Sequence, residues 1–219
     1  MVETRLTPQQ AWLKLLVGNT RFVTGKQEHP NQDTMRRDQL AGGQFPDIAL
    51  FGCADSRIAA EIIFDLGLGD LFVIRNIGHI VAESIVASLE FAVSELGSAL
   101  IVVLAHDSCS AVKTAIELST QHPPVIPPAV ERTLAPVLPA VQQVWHERNS
   151  TTPYVSPAVI DADAVGAKHL ELTLNTILRS SVILRNAVAS GSLGIVACKY
   201  SISRGQVELV SAVGPIVTQ

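Results

Sequence analysis

Cys53 and the run His106-Asp107-Ser108-Cys109 are the residues of this chain best suited to hold a metal. Thiolate and imidazole are soft or borderline ligands. Two cysteines with one histidine make a zinc set that leaves a fourth position free, as a catalytic rather than a closed structural site requires. The run Cys53-Ala54-Asp55-Ser56-Arg57 adds the groups such a site would use. Zinc lowers the pKa of bound water to roughly 7 and so supplies hydroxide at neutral pH. Asp55 suits the acceptor that orients this hydroxide. An unrestrained carboxylate would also bind the metal, and Arg57 can hold it away through a bidentate pair. The two residues would then switch the site between an open and a blocked form. Each signal alone has a plainer reading: a cysteine at a strand end as a small buried hydrophobe, Asp-Ser-Arg as a capping turn.

What joins the motifs is the pattern of elements around them. Ile48 to Gly52 reads as a buried strand, Ala60 to Leu66 as a helix, and Leu71 to Arg75 as a second strand. Ala82 to Leu96 is helical, with Ile85, Leu89, Ala92, Val93 and Leu96 on one face. Ala99 to Ala105 is a third strand whose unbroken aliphatics imply cover on both faces. A helix follows from about Ser108. This alternation predicts an α/β fold with a mostly parallel sheet flanked by helices. Both motifs close strands, and ligands of open parallel sheets bind beyond the carboxyl ends. If the first and third strands are neighbours, Cys53, His106 and Cys109 meet in one crevice. Cys109 would also stand at a helix N-terminus, which favours its thiolate. Cys198 lies inside a later strand and reads as core.

Before these elements, Thr7 can cap a helix with Pro8 in its first position and Gln10 completing a capping box. Trp12, Leu15, Leu16 and Phe22 share one side of it, and Glu28 to Phe45 reads as a loop or arm. After them, His122 to Pro139 holds six prolines and reads as a connector with at most short helices. Val141 to Arg148 is helical, and Asp161 to Ala189 is a long, mostly helical stretch. Leu193 to Tyr200 and Gln206 to Val213 are strands joined by Ser203-Arg204-Gly205, an antiparallel edge hairpin. The chain is read as one domain, with a helix and arm over 1–45 and an α/β core over 46–219.

Composition narrows the function. Of the 219 residues, 47% are hydrophobic and 16% charged, with a net charge of -4, so a sizeable core can form and no basic surface calls for nucleic acid. No apolar run is long enough to span a membrane. Met1 to Arg5 lacks a signal-peptide layout, so a cytoplasmic location is the default expectation. Three cysteines do not make a disulfide framework, and in a reducing compartment such a sparse set points to a metal or catalytic role, with Cys198 read as core.

At these residues the sequence resembles the β-class carbonic anhydrases. That family carries Cys-x-Asp-Ser-Arg, an Arg-Asn pair after the next strand, and His-x-x-Cys; here these are Cys53 to Arg57, Arg75-Asn76, and His106 to Cys109. The likeness runs roughly from Leu13 to Val213. It implies a sheet in core order 2-1-3-4 extended by a fifth strand, and Cys53, His106 and Cys109 as ligands of Zn2+. It implies Asp55 with Arg57 as the catalytic dyad, Asp55 being a possible fourth ligand in a closed state. The implied reaction is reversible hydration of carbon dioxide to bicarbonate and a proton through a zinc-bound hydroxide. The implied assembly is a homodimer or homotetramer, in which the helix from Thr7 either embraces a neighbour or packs on its own domain.

Three positions depart from the family. The glycines that usually flank His-x-x-Cys are Ala105 and Ser110 here. Ser110 either narrows the site and offers a hydrogen bond, or points away as a neutral change. An inhibitory bicarbonate site of some members uses a Trp, an Arg and a Tyr; Arg75 and Tyr200 match, but Leu50 stands at the Trp position, so that pocket is expected to be incomplete. His79 is read either as a proton relay or as a surface or interface residue. Two other functions remain open on the same site: hydrolysis of carbonyl sulfide or carbon disulfide, and zinc binding without turnover.

Overall fold

The computed structural model describes residues 5–147 and 152–217. In chain order its elements are α1 (Pro8–Val23), α2 (Thr34–Leu40), β1 (Ile48–Cys53), α3 (Ala60–Ile63), β2 (Leu71–Asn76) and α4 (Glu83–Ser94). Then come β3 (Leu100–His106), α5 (Ser110–Leu118), α6 (Pro128–Leu134), α7 (Leu138–Glu147), α8 (Ala162–Ser180), α9 (Val182–Ala189), β4 (Gly194–Ser201) and β5 (Gln206–Val213). The sheet runs β2-β1-β3-β4-β5, with β5 alone antiparallel, as the sequence reading expects.

β1 and β3 sit at the centre because they are apolar on both faces, and every residue of both is buried. Ile48, Leu50, Leu100, Val102 and Leu104 face a layer formed by α1 and α3. Ala49, Phe51, Ile101 and Val103 face α4, α8 and α9. Burying each such large side chain contributes roughly 1.5–3 kcal/mol, which makes the central pair the firmest support available to a site at its end.

The expected capping box of α1 is present: Gln10 N–H donates to Thr7 Oγ1 at 3.2 Å and Thr7 N–H to Gln10 Oε1 at 2.9 Å. Its inner face, with Ala11, Trp12 and Leu15 buried, packs on its own sheet. Buried Asn19 fastens it there, donating to the Ile63 and Gly205 carbonyls and accepting from Val207 N–H.

Several expectations need correction. The segment 28–45 holds α2, capped by Asp33; none of its residues is buried, so it carries no apolar periodicity to betray it. The arm is anchored by buried Asp65, which accepts from the N–H groups of Glu28 and His29 and pairs with Arg21. α3 ends early, because the chain turns left-handed at Asp65. The helix expected from Ser108 begins at Ser110. The stretch 161–189 is two helices, broken at extended Ser181, whose hydroxyl accepts from Leu184 N–H and donates to Glu90. The connector carries α6, a short helix of the kind expected there. The readings that fall on residues 1–4 and on Arg148 lie outside the described residues. No described helix is long and apolar enough to cross a membrane.

Candidate metal centre

Parallel pairing of β1 with β3 sets Gly52 opposite Leu104, so Cys53 and His106 leave the sheet side by side at its carboxyl edge. Four residues after His106 the chain is already helical, at Ser110. Ser108 makes this possible with φ 52°, a left-handed conformation uncommon for residues other than glycine, and Cys109 becomes the N-cap of α5. As a result Cys53, His106 and Cys109, all buried, bring their ligand atoms within 4.8 Å of one another. The hydrogen bond with Cys53 and burial raise the pKa of the Cys109 thiol, and the N–H groups of Val112 and Ala111 at the start of α5 act against them.

The donor set fits a zinc ion. His106 Nδ1 lies 2.8 Å from the Asp107 carbonyl oxygen, which accepts only, so the ring proton belongs on Nδ1. Nε2 is then a bare lone pair, buried and without a hydrogen-bond partner among the described residues. The two thiols behave as one unit. The hydrogen bond between them lowers the pKa of Cys53, and the same bond, together with burial, raises that of Cys109. A divalent cation bound between them would stabilise both thiolates. Cys198 is elsewhere, fully buried in β4, where desolvation raises its pKa.

Asp55 and Arg57 stand on the loop after β1. Arg57 Nε donates to Asp55 Oδ1 at 2.9 Å and its terminal nitrogen to Oδ2 at 2.7 Å, a bidentate pair. These bonds, more than anything else, hold the Asp55 carboxyl far below the usual carboxylate range, and they raise the pKa of Arg57 in return. Arg57 also reaches the Ser108 carbonyl at 3.4 Å, tying the first motif to the second. Arg75 supports the turn from below, donating to the Cys53 carbonyl at 2.9 Å and the Asp55 carbonyl at 2.7 Å. Its guanidinium is thus engaged with the loop. Arg75 on β2 and Tyr200 on β4 are separated by two strands, and Leu50 is buried in β1 between them.

Ala105 and Ser110 line one cavity together with His106, Cys109 and Lys199, so both departures fall on the flank of the site. His79 corrects both readings given to it. Its relative exposure is 1%, its ring packs against Phe51 and His169, and burial, followed by the neighbouring His169, pushes its pKa well below the usual value. It is neither a surface residue nor placed to pass protons to solvent. His169, which sequence reasoning missed, donates from Nε2 to the Gly78 carbonyl at 2.9 Å. Its signal in the sequence was a histidine on the mostly apolar inner face of a helix, beside Val165, Leu170 and Leu174.

Fold and site together define a metal-dependent enzyme of the open α/β kind, with a Cys-His-Cys group at the carboxyl edge of the two central strands. The family model for carbonic anhydrase matches residues 48–207, and the chain belongs to that family, in its β class. Carbonic anhydrase 2 of Mycobacterium tuberculosis is 39% identical over 210 residues, covering 95% of this chain and 96% of the relative. A carbonic anhydrase of Mycolicibacterium smegmatis is 38% identical over 213 residues, covering 95% and 96%. Among solved structures, a tetrameric β-carbonic anhydrase from the ascomycete Sordaria macrospora superposes with a TM-score of 0.71 at 23% identity, over 94% of this chain and 100% of the other.

Proposed function

We propose that Cys53, His106 and Cys109 hold the zinc of this carbonic anhydrase and that Asp55 and Arg57 are its catalytic dyad. The observation that carries the reading is the convergence of the three ligand atoms within 4.8 Å on the loop edge where Arg57 grips Asp55. The reaction is reversible hydration of carbon dioxide to bicarbonate and a proton. Zinc bound there supplies Lewis acidity that makes hydroxide available near neutral pH.

The chain's own residues do the rest. Asp55 stays ionised throughout the neutral range, so it acts as an acceptor that orients the nucleophile's proton, not as an acid. Arg57 occupies both carboxylate oxygens and keeps Asp55 from closing the site. Arg75 holds the Cys53–Asp55 backbone so that ligand and acceptor keep one spacing. Ile80, Ala111 and Val112 make an apolar surround that favours a small apolar substrate over water.

Matches to carbonic anhydrases over 95% of the chain favour carbon dioxide over carbonyl sulfide or carbon disulfide. The same reading takes residues 1–219 as one domain, since α1 adds to the core of the sheet, and takes the enzyme as a homo-oligomer. Leu13 and Val17, 48% and 56% exposed on the outer side of α1, offer an apolar contact for a second copy. It also places the enzyme in the cytoplasm. Stopped-flow hydration by the zinc-loaded protein, beside its Asp55→Asn variant, is the test. Wild type should hydrate carbon dioxide, and Asp55→Asn should be slower by ten- to a hundredfold with zinc retained. Absence of hydration by fully zinc-loaded wild type sinks the reading.

A further inference from the structure

The turn Ile77–His79, just past β2, touches the metal centre although none of its side chains is a ligand. Cys53 is paired in register with Asn76, the Ala54 N–H donates to the Asn76 carbonyl at 2.8 Å, and the backbone N–H of Gly78 lies on the Cys53 side, where it is one of the smaller influences lowering the thiol's pKa. Gly78 sits at φ 68° against α5, where a Cβ would come within 2.8 Å of Ala111 Cβ. On its outer side Asn76 braces the turn, donating to the Ile80 carbonyl at 2.7 Å and accepting from Ile80 N–H at 2.9 Å. His169 reaches it from α8, with Nε2 2.9 Å from the Gly78 carbonyl oxygen.

The surroundings of His169 are unusual for a core. Its ring centroid is 4.6 Å from that of His79, which itself adopts φ 44° and lies edge-on to Phe51. Both His79 nitrogens and His169 Nδ1 are buried with no hydrogen-bond partner among the described residues. Burying polar nitrogens unpaired is unfavourable, and an apolar pair would fill the same space without that penalty. Among the described residues the one hydrogen bond made by the two rings is that to the Gly78 carbonyl. A carbonyl only accepts, so His169 must carry its proton on Nε2, and the His79 ring packs against it at a tilt of 44°.

We propose that His169 is a positioning residue for the metal centre: by holding the Gly78 carbonyl it aims the Gly78 N–H at the Cys53 sulfur, and His79 locks its ring for that task. The inference rests on Cys53 being a zinc ligand. A thiolate that receives such a bond has its charge partly neutralised and its lone pairs oriented, so the metal is held in one geometry. Partners of ligands commonly alter metal affinity by ten- to a hundredfold, and His169 acts one residue further out, so its effect belongs at the lower end.

Zinc affinity measured by chelator competition on the full chain tests this, with thermal melts to confirm folding. His169→Gln places an amide N–H near the position of Nε2, whereas His169→Asn is too short and His169→Leu has no donor. We expect Leu and Asn to weaken zinc by about tenfold and Gln to stay within about threefold of wild type. In the cobalt-substituted protein the thiolate-to-metal absorption should shift for Leu and Asn and not for Gln. If His169→Leu does not fold, the Gln and Asn proteins decide, being alike in polarity. Wild-type affinity in the Asn variant, or equal losses in Gln and Asn, overturns the proposal. Zinc retained by Cys53→Ser in the same titration sinks the ligand assignment instead.

Discussion

On the β1–β2 side of the site, Asp55, Arg57 and Arg75 are joined by hydrogen bonds between charged groups and carbonyls, and the Arg57 side chain is 47% exposed. On the β3–α5 side, Cys109 caps a helix whose inner residues Ala111, Val112, Ala115 and Ile116 are all buried. The first wall is aligned by direction-dependent bonds that water can reach. The second is aligned by shape, since a close-packed helix cannot shift without opening a void. Function should therefore fail through charge on one wall and through stability on the other.

The largest effect should come where both walls meet. Cys53→Ser or Cys109→Ser should lose most of the zinc and lower hydration more than a hundredfold, because a hydroxyl is a poor substitute for thiolate on zinc. Cys198→Ser, buried away from the site, should keep its metal while losing stability. Metal analysis of the three purified variants checks this, and equal zinc in all three would erase the distinction between site and core cysteines.

The walls themselves are separated by a matched pair. Arg57→Ala should reduce hydration by ten- to a hundredfold with zinc and melting temperature nearly unchanged. Ile116→Ala, on the helix behind Cys109, should cost about 2–5 kcal/mol of stability while hydration by the folded protein stays close to wild type. Stopped-flow rates and denaturant melts on both proteins give the four numbers needed. Similar profiles in the two variants would remove the contrast.

pH sharpens the comparison further. The Asp55 carboxyl is held far below its ordinary range, chiefly by Arg57, so the stability it contributes is present above about pH 4, the unfolded value. That contribution is lost only as pH falls through the lower folded value. The charged wall should thus be intact across the neutral and mildly acid range, and hydration should rise with pH along a single ionisation that makes hydroxide available. A steeper acid limb would mean that Asp55 leaves Arg57 for the metal while still unprotonated, the closed form that the family resemblance implies.

The smallest effect belongs to the flank. Ser110 opens α5 and lines the cavity beside His106 and Cys109. Ser110→Gly should keep zinc and fold, at a cost of a few tenths of a kcal/mol in helix propensity, with hydration equal or faster. A sharp loss of hydration with zinc still bound would make the Ser110 hydroxyl a working part of the packed wall.

The legible parts share a cause. Strands β1 and β3 are short, unbroken aliphatic runs, and each ends on a residue with ligand chemistry, so element and motif mark each other. Thr7 and Gln10 announced α1 because a capping box acts between neighbours in the chain. Where the signal depends on distant partners, it vanished. α2 has no buried face and therefore no periodicity. The break at Ser181 is made partly by Glu90, on a helix 91 residues earlier. Arg75 looked like an anion-binding residue, until the Cys53 and Asp55 carbonyls took its guanidinium.

Residue types and local spacing by themselves determined the sheet class, the strand ends and the identity of the Cys-His-Cys set, because each rests on chemistry within a few bonds. Only the tertiary structure decided which groups face one another. It set Arg57 across both oxygens of Asp55, turned Ser108 left-handed so that His106 and Cys109 converge, and laid α8 over the Ile77–His79 turn so that His169 meets Gly78. Side-chain direction and burial depend on packing between elements far apart in the chain, and no local pattern records them.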